Sequence, residues 1–596
     1  MATDTVPARF FAQSLAHPES PAYFVRVEGA WRPTSWRDYG AQVKRAARAL
    51  IALGLEPGQG VCLLGYNRPE WTITAFAAMA AGGIPAGIYT TCSATEVQYV
   101  VHHAEAPVVL VEDRAQYDKL HQQRDKLPGL RHIVLMQGAP AIDDPLVLTW
   151  EAFLARADEV PESAVDDRVH ALHEDDTATY IYTSGTTGPP KAVMLSHRNI
   201  LWTSEALAPL IQITPSDRLL SYLPLSHIAE QMLSMFGPAC YGHSIYFAEA
   251  LERVPDNLKE VQPTIFFGVP RIWEKFYAAV SARLAQVTGT KAKLFAWASG
   301  VARRYHALAN LARPVPFGLR LQYRLAQRLV LGKLRRALGL GDARSCVSGA
   351  APIATHVLEF FAGLDIVVAE VYGQSEDCGP TTLNVPGATR FGSVGRPIPG
   401  LEVRLAEDGE ILVRGPSVFK GYYKDPAATA EALQDGWLHS GDLGAFDADG
   451  FLSITGRKKE IIITAGGKNI APKNIEAALK ESPLVEEAVV IGDRRKFLSA
   501  LIALDRAAAA KWLQERGRPA DEPLHENPVL LAELARWVEK SGEQFARVEQ
   551  VRKFKVLPRS LSGEFGELTP TLKLKRKNIE KNWAALIDAM YDDAAP

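Results

Sequence analysis

Ala178-Thr179-Tyr180-Ile181-Tyr182 runs without a spacer into Thr183-Ser184-Gly185-Thr186-Thr187-Gly188-Pro189-Pro190-Lys191. The first five residues are β-rich and apolar and predict a buried strand. In the loop that follows, Gly185 and Gly188 let backbone N–H groups approach a polyanion with no Cβ in the way. Thr183, Ser184, Thr186 and Thr187 add hydroxyl donors, and Lys191 supplies charge. The pattern suits a phosphate. It is not the G-x-x-x-x-G-K-[ST] loop, because the Gly185 to Gly188 spacing is too short and no Ser or Thr follows Lys191. By pattern alone, an ordinary surface turn is the commoner source of such a run.

Outward from this stretch, helical segments such as residues 39–53 alternate with short β-rich runs such as 61–64 and 107–111. That is the rhythm of a parallel sheet covered by helices. Further strands are expected at residues 264–268 and 366–371. Near residue 400 the texture changes: residues 401–405 and 410–414 flank Asp408-Gly409, and 445–446 and 451–455 flank Asp449-Gly450. Asp-Gly between strand-like runs is a hairpin signal, so an antiparallel module is expected to close the larger half. After Gly456 the pattern resets, with a strand at 461–464, a helix opened by Pro472 that carries Ile475 and Leu479 on one face, and strands at 485–491 and 498–504. The expected class is α/β. A large N-terminal domain of parallel-sheet layers plus an antiparallel β module covers residues 1–456, and a small α+β C-terminal domain covers 457–596.

Composition narrows the functional classes. The 596 residues carry 66 Lys and Arg against 68 Asp and Glu, a net charge of −2, which excludes a nucleic-acid binder working by bulk charge. With 47% hydrophobic and 22% charged residues, the chain has apolar material for more than one core. Cys62, Cys92, Cys240, Cys346 and Cys378 are scattered and never form a Cys-x-x-Cys pair, so neither a disulfide framework nor a zinc site is indicated. No basic stretch followed by an apolar block opens the chain, and a cytoplasmic location is expected. The charge-free span between Glu70 and Glu96 is long enough to cross a bilayer. Gly82, Gly83, Pro85 and Gly87 break it, so it reads as a buried helix, a turn and a buried strand. Every charged residue from Lys291 to Arg336 is basic. Two readings stand for that segment: a surface insertion making peripheral contact with anionic lipid, or helices whose basic faces are merely solvated, the second being the plainer.

The loop from Thr183 to Lys191 resembles the phosphate loop of the AMP-forming acyl- and aryl-CoA synthetase (adenylate-forming, ANL) superfamily, and the other motifs of that superfamily follow in order along nearly the whole chain. Tyr372-Gly373-Gln374-Ser375-Glu376 is similar to its adenine and magnesium motif. The resemblance implies that Tyr372 stacks on adenine, that Gly373 and Ser375 belong to the nucleotide site, and that Glu376, with Thr183, holds Mg²⁺. Ser440-Gly441-Asp442-Leu443-Gly444 resembles the motif whose Asp, here Asp442, accepts hydrogen bonds from the ribose. Ser348-Gly349-Ala350-Ala351-Pro352 looks like the backbone wall of the adenine pocket, with Gly349 and Ala350 allowing close approach. Gly456-Arg457-Lys458-Lys459-Glu460 resembles the hinge, Lys459 being the hinge position, and Gly466-Gly467-Lys468-Asn469 resembles the loop that turns toward CoA.

Two further stretches are most like long-chain enzymes of the bubblegum type. Leu568-Thr569-Pro570-Thr571-Leu572-Lys573-Leu574-Lys575-Arg576 resembles their catalytic lysine loop, with Lys573 as the lysine and Lys575 as the alternative by a register slip. Leu572 stands where related loops carry glycine. In Leu223-Pro224-Leu225-Ser226-His227-Ile228-Ala229-Glu230, His227 resembles the residue near the substrate carboxylate, although a lone histidine in an apolar run is more often a satisfied core residue. Gln231 falls where some relatives carry an aromatic tunnel gate. The resemblance implies a ligase that uses ATP, Mg²⁺ and CoA to convert a fatty acid to acyl-AMP and then acyl-CoA. A carrier-protein loading enzyme and a non-catalytic nucleotide or acyl sensor are the other readings, and the oligomeric state is left open.

Overall fold

The computed structural model describes residues 4–183, 189–466, 468–518, 523–569 and 573–592. Its central layer is an eight-stranded sheet. The strands Gly60–Leu64, Ile84–Ile88 and Val108–Val111 are buried along their whole length, as parallel strands covered on both faces must be. Strand Thr177–Thr183 joins this parallel group beside Ile84–Ile88 and then pairs antiparallel with Lys191–Ser196, Thr183 opposite Lys191. The loop between them therefore leaves the carboxyl end of a parallel strand, the side on which open α/β sheets bind ligands. The charge-free span folds as expected into the buried helix Pro69–Ala80 and the strand Ile84–Ile88, and no helix among the described residues is long and apolar enough to cross a membrane.

A second sheet runs Ile265–Gly268, Ser345–Ser348 and Val368–Gln374 in parallel, then Gly379–Leu383 and Arg396–Pro397 antiparallel. Both Asp-Gly hairpins form: Glu402–Leu405 pairs with Glu410–Arg414, and Trp437–Phe446 pairs with Leu452–Arg457. Beyond Arg457 a three-stranded sheet of Val485–Ile491, Leu498–Leu504 and Val551–Val556 packs its own core, which includes Ile475, Leu479, Val490, Ile502 and Leu534.

The all-basic segment is helical and lies between two neighbouring strands of the second sheet. It comprises Gly289–Ala309 and Phe317–Ala326, the latter continuing through the wide turn Gln327–Leu331 into Gly332–Ala337. One buried carboxylate anchors it. Asp365, 6% exposed, accepts hydrogen bonds from His306, Tyr323 and Gln327 and pairs with Arg335 at 3.2 Å. Burial pushes this carboxyl up, but the donors from His306, Tyr323 and Gln327 outweigh it and hold it below its ordinary value. Asp365→Ala should cost about 2 to 3 kcal/mol in urea melts and speed proteolytic cleavage within residues 289–337. The folded pKa is depressed, so the wild type's advantage is complete above the unfolded value of 3.8 and disappears as pH falls from there through the folded one. A difference between the two proteins that stays constant down through this range would overturn the assignment.

Candidate active site

The antiparallel module, the carboxyl end of strand Thr177–Thr183 and the small domain enclose a cleft of about 1470 Å³. Among the residues singled out by sequence, Thr183, Lys191, His227, Ala350, Tyr372, Gly373, Ser375, Glu376, Asp442, Arg457, Lys459 and Lys573 all line it. Ser184, Gly185, Thr186, Thr187, Gly188 and Gly467 lie outside the described residues. Gly349 is set just behind the wall, where a Cβ would stand 2.6 Å from Val371 Cγ1. At Gly373 the constraint is tighter still, since a Cβ would lie 1.6 Å from the carbonyl oxygen of Gly379. Only glycine lets the two strands approach there.

Glu376 sits in the short helical turn Ser375–Asp377 that ends strand Val368–Gln374, and its Oε1 accepts a 2.8 Å hydrogen bond from Tyr422. Lys191 Nζ lies 4.8 Å from the centre of the Tyr422 ring. Burial and the Glu376 charge push the Tyr422 phenol up, so it stays a donor. The neighbouring Asp377 is fully buried, accepts from Thr381 Oγ1 and from the Gln374 N–H, and is pushed up by burial to about 8. Burial thus favours its neutral form, and of the two carboxyls it is Glu376 that lines the cleft. Thr183 Oγ1 donates to the carbonyl of Lys191 at 3.5 Å across the hairpin. Among the described residues no group of three or more His, Cys, Asp or Glu offers a protein-only metal cage. One carboxylate beside a polyanion site fits Mg²⁺, which keeps several waters and takes other ligands from substrate phosphates.

Beside the same strand, Asp442 receives the Tyr372 hydroxyl at 3.0 Å on one oxygen and the Arg457 guanidinium at 3.2 Å on the other. Asp442 faces Arg457 directly across the hairpin, so strand register alone brings the pair together. Beneath it, Glu410 accepts from the Gly441 N–H at 2.9 Å, from Lys458 at 2.9 Å and contacts His439 at 3.2 Å. Burial raises this carboxyl, but Lys458 and its other partners hold it below the usual range. The Asp442 loop and Lys458 are thus fastened to one carboxylate. Lys459, next along the chain, makes an exposed rim pair with Glu431 at 3.1 Å.

Lys573 enters from the small domain. Its N–H donates to Thr569 Oγ1 at 3.0 Å, its carbonyl accepts from the Thr569 N–H at 2.8 Å, and Leu568 bridges Leu574, so the loop closes on itself. The base of that loop is fixed by Glu567, which has no exposed surface and is held bidentately by Arg559 at 2.6 and 2.8 Å and by Trp583 at 2.9 Å. Inside the cleft, loss of hydration, Arg457 and Lys473 lower the Lys573 ammonium's pKa, opposed by Asp442 and Glu376. Lys575 does not line the cleft; it lies 4.0 Å from Glu96 of the large domain. Gly466, Lys468 and Asn469 do not line it either.

His227 Nδ1 accepts the Ala229 N–H at 3.1 Å and caps the turn Ile228–Gln231, which leaves Nε2 to carry the proton of the neutral ring. Burial, reinforced by Lys573, pushes its pKa down to about 4. Beside it, Leu207, Ile211, Ile228, Met232, Leu233 and Phe267 form an apolar wall. Gln231 does not face this wall; it is buried and donates to the carbonyl of Leu225. Sequence reading missed Tyr422 and Glu410. Tyr422 reaches the site only because strand Gly421–Tyr422 pairs with Lys191–Ser196, and the one available signal for Glu410 was its place after the Asp408-Gly409 turn.

A model of the AMP-binding enzyme family matches residues 10–423, and one of the AMP-binding enzyme C-terminal domain matches residues 459–595. Long-chain-fatty-acid–CoA ligase ACSBG2 of Xenopus laevis is 39% identical over 602 residues, covering 95% of this chain and 80% of that one. Long-chain-fatty-acid–CoA ligase FadD15 of Mycobacterium tuberculosis is 36% identical over 99% of this chain and 97% of its own. Among solved structures, the A domain of a carboxylic acid reductase from Segniliparus rugosus, in complex with AMP and a co-purified carboxylic acid, is similar with a TM-score of 0.74 at 18% identity, over 99% of this chain and 94% of that one. The anthranilate CoA ligase AuaEII in complex with anthranoyl-AMP has a TM-score of 0.71 at 20% identity, over 98% and 99%. At those identities the likeness concerns the fold.

Replacing Glu376 by Gln keeps the hydrogen bond from Tyr422 and removes the charge. Calorimetric titration should show affinity for ATP in the presence of Mg²⁺ falling on the order of ten- to a hundredfold, with affinity for metal-free ATP little changed. Equal losses with and without the metal would take Glu376 out of that role.

Proposed function

The chain belongs to the AMP-binding enzyme family and has the adenylate-forming (ANL) fold, and from that premise we propose the following reading of its cleft. The protein is a long-chain fatty acid–CoA ligase that uses ATP, CoA and Mg²⁺ and releases pyrophosphate and AMP. The observation that carries the reading is the convergence of Lys573, Glu376 and Asp442 on one void that continues along an apolar wall.

A carboxylate is a poor acyl donor, because oxide is a prohibitive leaving group. In the first half reaction a carboxylate oxygen attacks the α-phosphorus of ATP, the bond to the β-phosphate oxygen breaks, and pyrophosphate leaves. Lys573 and Lys191 offset charge on the phosphates, which is positioning and electrostatic stabilisation without a covalent residue. Glu376, with Thr183, would hold Mg²⁺, which when bound neutralises phosphate charge. Asp442 accepts from the ribose, Tyr372 lies against the adenine with Gly349 and Ala350 behind it, and the Nε2–H of His227 orients the fatty carboxylate. In the second half reaction the CoA sulfur, giving up its proton, bonds the acyl carbon and AMP departs.

Charge in the apolar part of the cleft is kept low by the neutral His227, which favours an uncharged hydrocarbon tail there. The domain boundary lies at Gly456 and Arg457, and rotation about Lys459 exchanges the lysine loop for the loop of Gly466, Gly467, Lys468 and Asn469. The enzyme works in the cytoplasm with peripheral contact with a membrane, the reservoir of long-chain acids.

AMP formation from ATP across acids from acetate to C18 and longer, with and without CoA, tests the substrate class; a preference for acetate or aryl acids would overturn it. Half-reaction assays test the roles. Lys573→Ala should lose acyl-AMP formation by several orders of magnitude while thioester formation from supplied acyl-AMP survives. Lys459→Pro fixes φ at the hinge and should let acyl-AMP accumulate without passing to CoA. A larger adenylation defect in Lys575→Ala, or equal loss of both half reactions in Lys573→Ala, would contradict the assignment.

A further inference from the structure

The helix that begins at Phe317 has an apolar line on each side. Its inner line, with Ala326 and Leu331 fully buried, packs on Ala298, Val301 and Ala302 of the preceding helix. Its outer line is Phe317, Leu321, Leu325 and Leu329, exposed by 82%, 61%, 48% and 46%. A spacing of four residues keeps these side chains on one stripe. Core packing leaves that stripe uncovered, and contiguous exposed apolar surface of this kind marks an interaction site.

The charges beside the stripe have one sign. Arg320, Arg324 and Arg328 each precede a stripe leucine by one position, all three are exposed, and none forms an ion pair among the described residues. No acidic residue occurs between Lys291 and Arg336. Asp342, the first acid after the segment in sequence, pairs with Arg218 and Arg336, and Asp365 is held by the helix's inner face. The helix is also held firmly. Tyr323 stacks on Tyr305 at 3.7 Å with the rings 4° from parallel, and Asp365 ties Tyr323, Gln327 and Arg335.

We propose that the outer face formed by residues 317–329 docks on an anionic membrane surface, with Phe317 and the three leucines at the acyl boundary and the arginines on lipid phosphates. A second copy of the chain fits poorly, because pairing two such faces would oppose arginine rows. The segment leaves the second sheet after Ile265–Gly268 and returns at Ser345–Ser348, and Phe267 and Val347 of these strands line the cleft. Docking therefore sets the bilayer against an element continuous with the cleft wall. The purpose of the contact rests on the long-chain reading above; the contact itself rests on this face alone.

Cosedimentation with vesicles tests it. The wild-type protein should sediment with mixed phosphatidylcholine–phosphatidylglycerol vesicles at low salt, be released as salt rises, and stay in solution with phosphatidylcholine alone. Replacing Arg320, Arg324 and Arg328 together by Gln should weaken binding on the order of a hundredfold and flatten its salt dependence. A Phe317→Ser, Leu321→Ser, Leu325→Ser variant should weaken binding at every salt concentration. Both variants should keep the wild-type thermal transition and the wild-type rate on fatty acid supplied without vesicles. Failure of the wild type to bind, equal binding to neutral vesicles, undiminished binding of either variant, or retention only on an acidic polypeptide would each overturn the proposal. If the wild type binds vesicles but makes no acyl-CoA, the ligase reading fails and this surface stands; acyl-CoA formation without vesicle binding gives the reverse.

Discussion

The pair between Asp442 and Arg457 ties the cleft-lining hairpin to the residues just before the stretch, 459–595, that matches the C-terminal domain family. Strand register sets the two residues opposite each other, and the remaining Asp442 oxygen is taken by the Tyr372 hydroxyl. Burial lowers the pKa of the Arg457 guanidinium, but Asp442, Glu460 and Glu376 raise it further, so the cation persists inside the cleft. One residue on, Lys458 reaches Glu410, which also holds the Gly441 N–H. Asp442 and the residues from Arg457 to Lys458 therefore share a single polar lattice, and neither can shift alone.

Elsewhere in the cleft the chemistry is one of suppressed charge. Burial disfavours a second anion beside Glu376 by raising Asp377 to about 8. It also keeps His227 neutral by lowering its pKa to about 4, with Lys573 adding to the effect. These settings come from packing, and no exposed loop could impose them.

Much of this organisation is legible in the sequence because it is local. The Val-rich runs, the two Asp-Gly turns and the Pro472 helix start announce themselves through period and turn chemistry, and each forms close to where expected. The motif residues Tyr372, Glu376 and Asp442 were readable through resemblance. What was illegible depends on sheet crossovers. Tyr422 lies 46 residues from Glu376, and Asp365 lies 59 from His306, so no periodicity links either pair. The basic run could be read for its sign but not for its stripe, because deciding which of its leucines face outward requires knowing that Ala326 and Leu331 face inward.

The clasp beneath the lysine loop has a mechanical consequence. Glu567 is pinned by Arg559, Trp583 and Asn582, and Thr569 is tied to Lys573 through one main-chain hydrogen bond and one in which the Lys573 N–H donates to the Thr569 hydroxyl. The main chain at Lys573 is therefore fastened to Thr569, two residues from the clamped Glu567. A small angular displacement of the domain becomes a proportionate translation of Lys573 within the cleft. Under the proposed reading, the rate of the first chemical step would act as a goniometer for the orientation of the C-terminal domain.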